Sequence, residues 1–152
     1  MASLPYPRPT SPAATKAMKG NRRVDTRPEV ALRSALHRRG LRFRKDFLLV
    51  VDGNRVRPDV VFTRATVAVF VAGCFWHRCP HHGSLPKRNR DYWEPKLQRN
   101  VERDVSTTSA LRAAGWLVVR VWEHEAVEVA VSVVAQVVAA RCLTLTRQGG
   151  SL

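Results

Sequence analysis

Between Thr66 and Trp122 the chain runs through four segments: Thr66-Val-Ala-Val-Phe-Val71, a Cys-, His- and Arg-rich loop, a long helical stretch from about Tyr92 to Ala114, and Trp116-Leu-Val-Val-Arg-Val-Trp122 after Gly115. Both apolar runs are short and β-branched, which is strand chemistry, and the segment joining them is long enough for a crossover helix. A strand, a helix and a second strand in that order form a right-handed crossover with the two strands parallel. The reading is a mixed α/β domain with a central sheet flanked by helices.

Upstream of that unit, Thr26-Arg27-Pro28-Glu29 carries a capping Thr, a Pro at the first helical position and a Glu three residues after the cap, and Gly40 is a stop signal. Helix is therefore expected from about Pro28 to Arg39. Apolar runs at Leu41–Phe43, Phe47–Val51 and Val56–Phe62, punctuated by Asp52-Gly53-Asn54 and Thr63-Arg64, read with the run at 66–71 as strands of a meander. A last helix, about Ala126 to Ala140, would cover the sheet. Four prolines in the first twelve residues (Pro5, Pro7, Pro9, Pro12) make residues 1–17 an arm, 18–142 the one folded domain and 143–152 a loose tail.

A chain of 152 residues can bury a core without staples. Three cysteines are too few and too odd for a secreted disulfide framework, so a metal or free thiol is expected. Twenty-six Lys and Arg against twelve Asp and Glu leave +14, a field that attracts polyanions and makes a nucleic acid the default partner. No apolar run is expected to approach the roughly 20 residues of a membrane span, and no leader is legible. A cytoplasmic protein with no membrane partner is expected.

Residues that break the local pattern carry the chemistry. Asp59 sits inside Arg57-Pro-Asp-Val-Val-Phe62, where an unpaired carboxylate is costly to bury. Either Arg57 pairs with it or it binds a metal such as Mg2+. Asp104 interrupts the inward stripe Leu97, Val101, Asp104, Thr108, Leu111, and either meets an Arg or orients a histidine or a metal-bound water. Two cysteines and three histidines fall within Gly73-Cys-Phe-Trp-His-Arg-Cys-Pro-His-His82. Cys74-x4-Cys79-x2-His82 has zinc-loop spacing, with His124 as a fourth ligand, His81 as a substitute for His82, and Cys74-x2-His77 as a competing pairing. If the first set holds zinc, His77 is left to move protons. Phe75 and Trp76, beside Arg78, Lys87, Arg88 and Arg90, are either core rings or wedges that unstack bases.

Arg57-Pro-Asp59, Phe70-Val-Ala-Gly-Cys-Phe-Trp-His77, Asp91-Tyr-Trp through Asn100-Val-Glu-Arg-Asp104, and Gly115-Trp with Val121-Trp-Glu-His124, in that order, resemble the very-short-patch repair (Vsr) mismatch endonucleases. The resemblance implies a restriction-endonuclease-like fold with a structural zinc loop, and a Mg2+-dependent nick beside the T of a T:G mismatch left by deamination of 5-methylcytosine. It implies that Asp59 and the main-chain carbonyl of Val71 hold Mg2+, that His77 is the catalytic histidine with Asp104 beside it, and that Glu29 is an accessory acid. Cys74, Cys79, His82 and His124 would hold zinc. Phe75, Trp76 and Trp93 would form the wedge, with Arg78, Lys87, Arg88 and Lys96 on DNA. A cytosine-5 DNA methyltransferase is the implied functional partner, and the enzyme would act as a monomer at the nucleoid. Two departures stand out: Ala72 replaces the polar residue often found before Gly-Cys, and Val69-Phe70-Val71 stands where related nucleases carry Glu-x-Lys. The alternatives are a zinc-stabilised DNA-binding module without catalysis and a zinc-containing nuclease for other damaged or foreign DNA.

Overall fold

The computed structural model describes residues 25–149 apart from 75, 82 and 84. The order of elements is α1 (Arg27–Arg38), β1 (Leu49–Val51), β2 (Asn54–Val56), β3 (Val60–Phe62), β4 (Val67–Ala72), α2 (Arg90–Ala113), β5 (Leu117–Trp122) and α3 (Val127–Gly149). Among the described residues there are two sheets, a β1–β2 hairpin and a three-stranded sheet in the order β3-β4-β5. β4 and β5 are parallel, with Val67 opposite Leu117 and Ala72 opposite Trp122, and α2 is the crossover between them. The fold is mixed α/β, with a sheet and flanking helices.

The period-2 alternation of β4 sorts its residues onto two faces. Val67 and Val69 join Val119 and Val121 of β5 in a core with Leu32 and Leu36 of α1 and Ala130, Val131, Val134 and Val138 of α3. Ala68 and Phe70 face the other way, against Leu111 of α2 and the hairpin residues Leu49, Val51 and Val56. The hairpin itself turns at Asp52-Gly53, both with positive φ, which is what a two-residue loop of matching twist requires.

The meander is corrected in two places. The run 56–62 is split at Arg57-Pro58-Asp59, because Pro58 cannot donate to a ladder, and its two halves pair in different sheets. Leu41–Phe43 is not a strand: Leu41 and Phe43 plug the core, and only Arg44 bridges to Val61.

Helix ends differ as well. Thr26 occupies the N-cap of α1 but makes no side-chain cap bond, so the capping box is not formed, and Glu29 turns inward instead. α2 starts at Arg90, with Pro95 tolerated inside its second turn. α3 runs on to Gly149, through part of the segment expected to be a loose tail, while the arm 1–17 lies outside the described residues. An 18-residue window within its 23 residues has a mean hydropathy of 1.8, which makes the helix long and apolar enough to cross a membrane by length and composition. In this fold one face of α3 is in the core, and Arg141 Nε bonds the Ala65 carbonyl and the Thr66 hydroxyl, each at 3.3 Å.

Leu111 is fully buried where α2 meets the sheet and the hairpin. Leu111→Ala should cost about 2–5 kcal/mol in denaturant unfolding, whereas Val105→Ala, on the exposed side of α2, should stay within about 0.5 kcal/mol.

Candidate functional site

Asp59 lies one residue before β3, and its backbone N–H continues the ladder by donating to the Val69 carbonyl at 3.0 Å. Its side chain turns across the sheet, where Oδ2 accepts the Val71 N–H at 2.7 Å. Arg57 is not its partner, since that guanidinium donates to the Asp46 carbonyl at 3.2 Å. Burial lifts the Asp59 carboxyl from the ordinary 3.8 to about 6, the bond from Val71 opposes the rise, and the nearby Glu29 carboxylate adds to it. Glu29 is itself buried and pairs with Arg33 at 3.7 Å, and Arg33 also pairs with Asp25. A sequence pattern marks Glu29 as a helix cap, but its place in the fold is beside Asp59.

Beyond β4 the chain folds into tight backbone-bonded turns. The His77 N–H donates to the Gly73 carbonyl at 3.1 Å, Cys79 to Cys74 at 2.9 Å and Gly83 to Cys79 at 2.8 Å. A Cβ at Gly83 would lie 2.6 Å from the Cys79 carbonyl oxygen, so the turn needs glycine there. The Glu123 carboxylate after β5 accepts the Cys74 N–H at 2.9 Å and ties the loop to the sheet. These turns aim His77 Nδ1 at Asp104 Oδ2 on α2, and the two side chains pair. Asp59 feels His77 electrostatically, so the structure gathers Asp59, His77, Asp104 and Glu29 around the end of β4.

A second cluster lies at the other side of the loop. The sulfurs of Cys74 and Cys79 and a ring nitrogen of His124 all fall within 4.8 Å of one another. Cys74 Sγ is 3.1 Å and Cys79 Sγ 3.7 Å from His124 Nδ1. Burial, and then the neighbouring Cys79 thiol, push Cys74 up to about 11. Two sulfurs and an imidazole converging on one point are the donor set of a soft cation, which would reverse that shift. His81 stacks edge-on to His124 with ring centroids 6.4 Å apart. His82 is outside the described residues, as is Phe75. The competing pairing of Cys74 with His77 is not formed, because His77 is turned to Asp104.

The remaining rings gather between the loop and the start of α2. Trp76 and Trp93 meet edge-to-face at 5.7 Å, Tyr92 lies against Trp93 at 5.1 Å, and Lys96 Nζ sits over all three rings. Asn100 Nδ2 donates to the Trp76 carbonyl at 3.2 Å, and Arg78 donates to Gln98 at 3.4 Å. Lys87 and Arg88 are exposed on the same loop.

The family model for "DNA mismatch endonuclease Vsr" matches residues 10–83. Over 134 residues, 88% of this chain and 81% of the relative, the sequence is 55% identical to the type II nicking enzyme V.NaeI of Lentzea aerocolonigenes. This chain belongs to the Vsr family. It is also similar to the type II nicking enzyme V.XorIIP of Xanthomonas oryzae, 45% identical over 71% of this chain and 77% of that one. The DNA mismatch endonuclease Vsr of Escherichia coli is 38% identical over 72% of this chain and 68% of its own length. As a Vsr-family protein the chain is a DNA endonuclease, so the reading as a binding module without catalysis is set aside.

Sequence reasoning missed two cations of the site. Arg33 is one turn after Glu29 on α1, and Arg120 reaches Asp104 from β5. Arg120 had a signal, since it is the one charged residue in Leu117–Trp122.

Because Asp59 is harder to ionise in the fold than in the unfolded chain, its protonation favours folding. Metal-free stability at this position should rise as pH falls from above about 6 to below about 4. Asp59→Asn keeps an acceptor for Val71 without the charge, and should raise stability at pH 8 by up to about 3 kcal/mol. In urea melts of the metal-free proteins, that gain should shrink to nothing at pH 4.

Proposed function

We propose that this endonuclease nicks one strand of duplex DNA beside the T of a T:G mismatch, with Mg2+ as its catalytic cofactor. The observation that carries the reading is the pairing of His77 with Asp104 next to the buried, costly carboxylate of Asp59. Acids facing a polyanion in a chain of net charge +14 need a reason, and a hard cation supplies one. Among the described residues Asp59 Oδ1 carries no hydrogen bond, so an oxygen is left for such an ion. Asp59 and the Val71 carbonyl would hold Mg2+, with Glu29 as the accessory acid. The bound ion would supply Lewis-acid charge to the scissile phosphate.

The protein's own side chains do the proton work. With Nδ1 turned to Asp104, the His77 ring has Nε2 to take a proton from the attacking water. Asp104 fixes the ring's orientation and tautomer and stabilises the imidazolium that forms. Discrimination would come from the aromatic cluster: Trp76 and Trp93, with Phe75, would enter the stack where a mismatch makes unstacking cheap. Arg78, Lys87, Arg88 and Lys96 would meet phosphates, a contribution common to all duplexes.

Zinc would be structural, held by Cys74, Cys79, His124 and His82, and would fix the loop that carries both His77 and Trp76. The fold around it would be of the restriction-endonuclease type. The T:G substrate links the enzyme to a cytosine-5 DNA methyltransferase, whose product deaminates to T, and places it with the chromosome in the cytoplasm. One chain carries every residue of the site, so a monomer suffices.

Nicking of T:G, U:G and C:G duplexes, each in Mg2+ and in EDTA, tests the reading. The T:G duplex should be cut and C:G left intact, EDTA should stop the reaction, and Asp59→Asn should abolish nicking while duplex affinity stays equal or tightens. Cutting of C:G at the T:G rate, or cutting by Asp59→Asn, overturns it.

Elemental analysis of protein purified without added metal should find one zinc per chain. Cys79→Ser should lose it together with thermal stability, because a structural metal contributes folding free energy. His77→Ala should retain it.

A further inference from the structure

Arg120 stands where the pattern of β5 calls for an apolar residue. Its side chain is on the face shared with Phe70, its parallel partner in β4, and the guanidinium lies over the Phe70 ring at 5.6 Å. From there Nη2 donates to the Thr108 hydroxyl at 3.4 Å and Nη1 reaches Asp104 Oδ2 at 3.5 Å. Thr108 and Asp104 are one turn apart on α2, so the planar fork spans that turn and is itself fixed by the ring beneath it. The oxygen it meets is the one that also receives His77 Nδ1. With three-quarters of the Arg120 and Asp104 side chains buried, this pair is less screened by solvent than a surface ion pair.

We propose that Arg120 is a positioning residue for DNA cleavage. It holds the Asp104 carboxylate in the one rotamer that keeps its oxygen on His77 Nδ1. A carboxylate on a helix rotates about two side-chain bonds, and the imidazole alone does not stop it turning toward solvent on the exposed side of the site. The guanidinium does, because turning away breaks the ion pair. Arg120 acts through Asp104 and needs no contact with DNA. The inference rests on the reading of His77 and Asp104 as the proton-moving pair.

The test uses the full-length, zinc-loaded protein, with the single-turnover nicking rate at saturating T:G duplex and the duplex Kd measured separately. Arg120→Met keeps the side chain's bulk, and should lower the rate about tenfold, the loss expected for one charge-assisted contact, with Kd within twofold. Arg120→Lys restores the charge without the fork, and should recover part of the rate. In an Asp104→Asn background, Arg120→Met should change the rate less than twofold. A full tenfold loss in that background, or a weaker Kd with an unchanged rate, overturns the proposal. Nitrogen NMR of the His77 ring at pH 8 gives a readout that needs no nicking. The Nδ1–H tautomer should dominate in the parent and give way to Nε2–H in Arg120→Met, and an unchanged tautomer overturns the proposal. If the tautomer shifts as expected while His77→Ala and Asp104→Asn nick normally, Arg120 positions the pair and the pair is not the catalytic one.

Discussion

The parallel ladder between Val67–Ala72 and Leu117–Trp122 is the constraint from which the rest of the molecule follows. Parallel strands cannot be joined by a tight turn, so the chain must leave the end of β4, cross the sheet and return. That crossover is α2, and it brings Asp104, Thr108 and Leu111 over the face carrying Ala68 and Phe70. The same register ends both strands at one level, Ala72 beside Trp122. The residues that follow them, the Cys74 loop and His124, therefore meet without any long-range design beyond the ladder itself. Glu123 closes the junction, its N–H bonding Ala72 and its carboxylate bonding Cys74.

Asp59 shows the opposite economy, a local cost in stability that its proposed role in the chemistry would account for. A carboxyl raised to about 6 by burial is a standing cost at neutral pH, and the single N–H of Val71 offsets only part of it. Glu29, buried nearby and able in principle to cap its own helix, raises the cost further instead. Local rules broken together at one end of a sheet are what a functional site produces, because each group is fitted to a bound ion or substrate rather than to the empty fold.

Much of this was legible from the chain. The crossover, the Asp52-Gly53 turn and the departures at Asp59 and Asp104 rest on local periodicity and on the cost of burying charge, both of which act within a few residues. Of the four expected zinc ligands, Cys74, Cys79 and His124 do form a spatial cluster, while His82 lies outside the described residues. What failed depended on tertiary context. Pro58 was a local warning that Val56–Phe62 is broken, but nothing local says that its halves join different sheets, that Leu41 and Phe43 fill a core as loop residues, or that Glu29 leaves its cap. The last helix also outran its expected end, and within the added turns Thr144 and Thr146 return their hydroxyls to the carbonyls four residues back.

The cations at the site divide into two groups by what they do to the field. Lys87, Arg88 and the other exposed bases belong to the +14 that draws in a polyanion, and solvent and salt screen each of them. Arg33 and Arg120 are mostly buried and paired with acids, Glu29 and Asp25 for one and Asp104 for the other. They add little to attraction at a distance, because their charge is met where it stands. Their effect is local. Without them, three carboxylates around one strand end would repel each other and the incoming phosphate; with them, Glu29 and Asp104 are neutralised from behind, and the uncompensated negative charge is concentrated on Asp59. Among the described residues Asp59 is then the acid of the three without an ion pair, touched by Arg33 and His77 only through their field, which is what the proposed metal role would require.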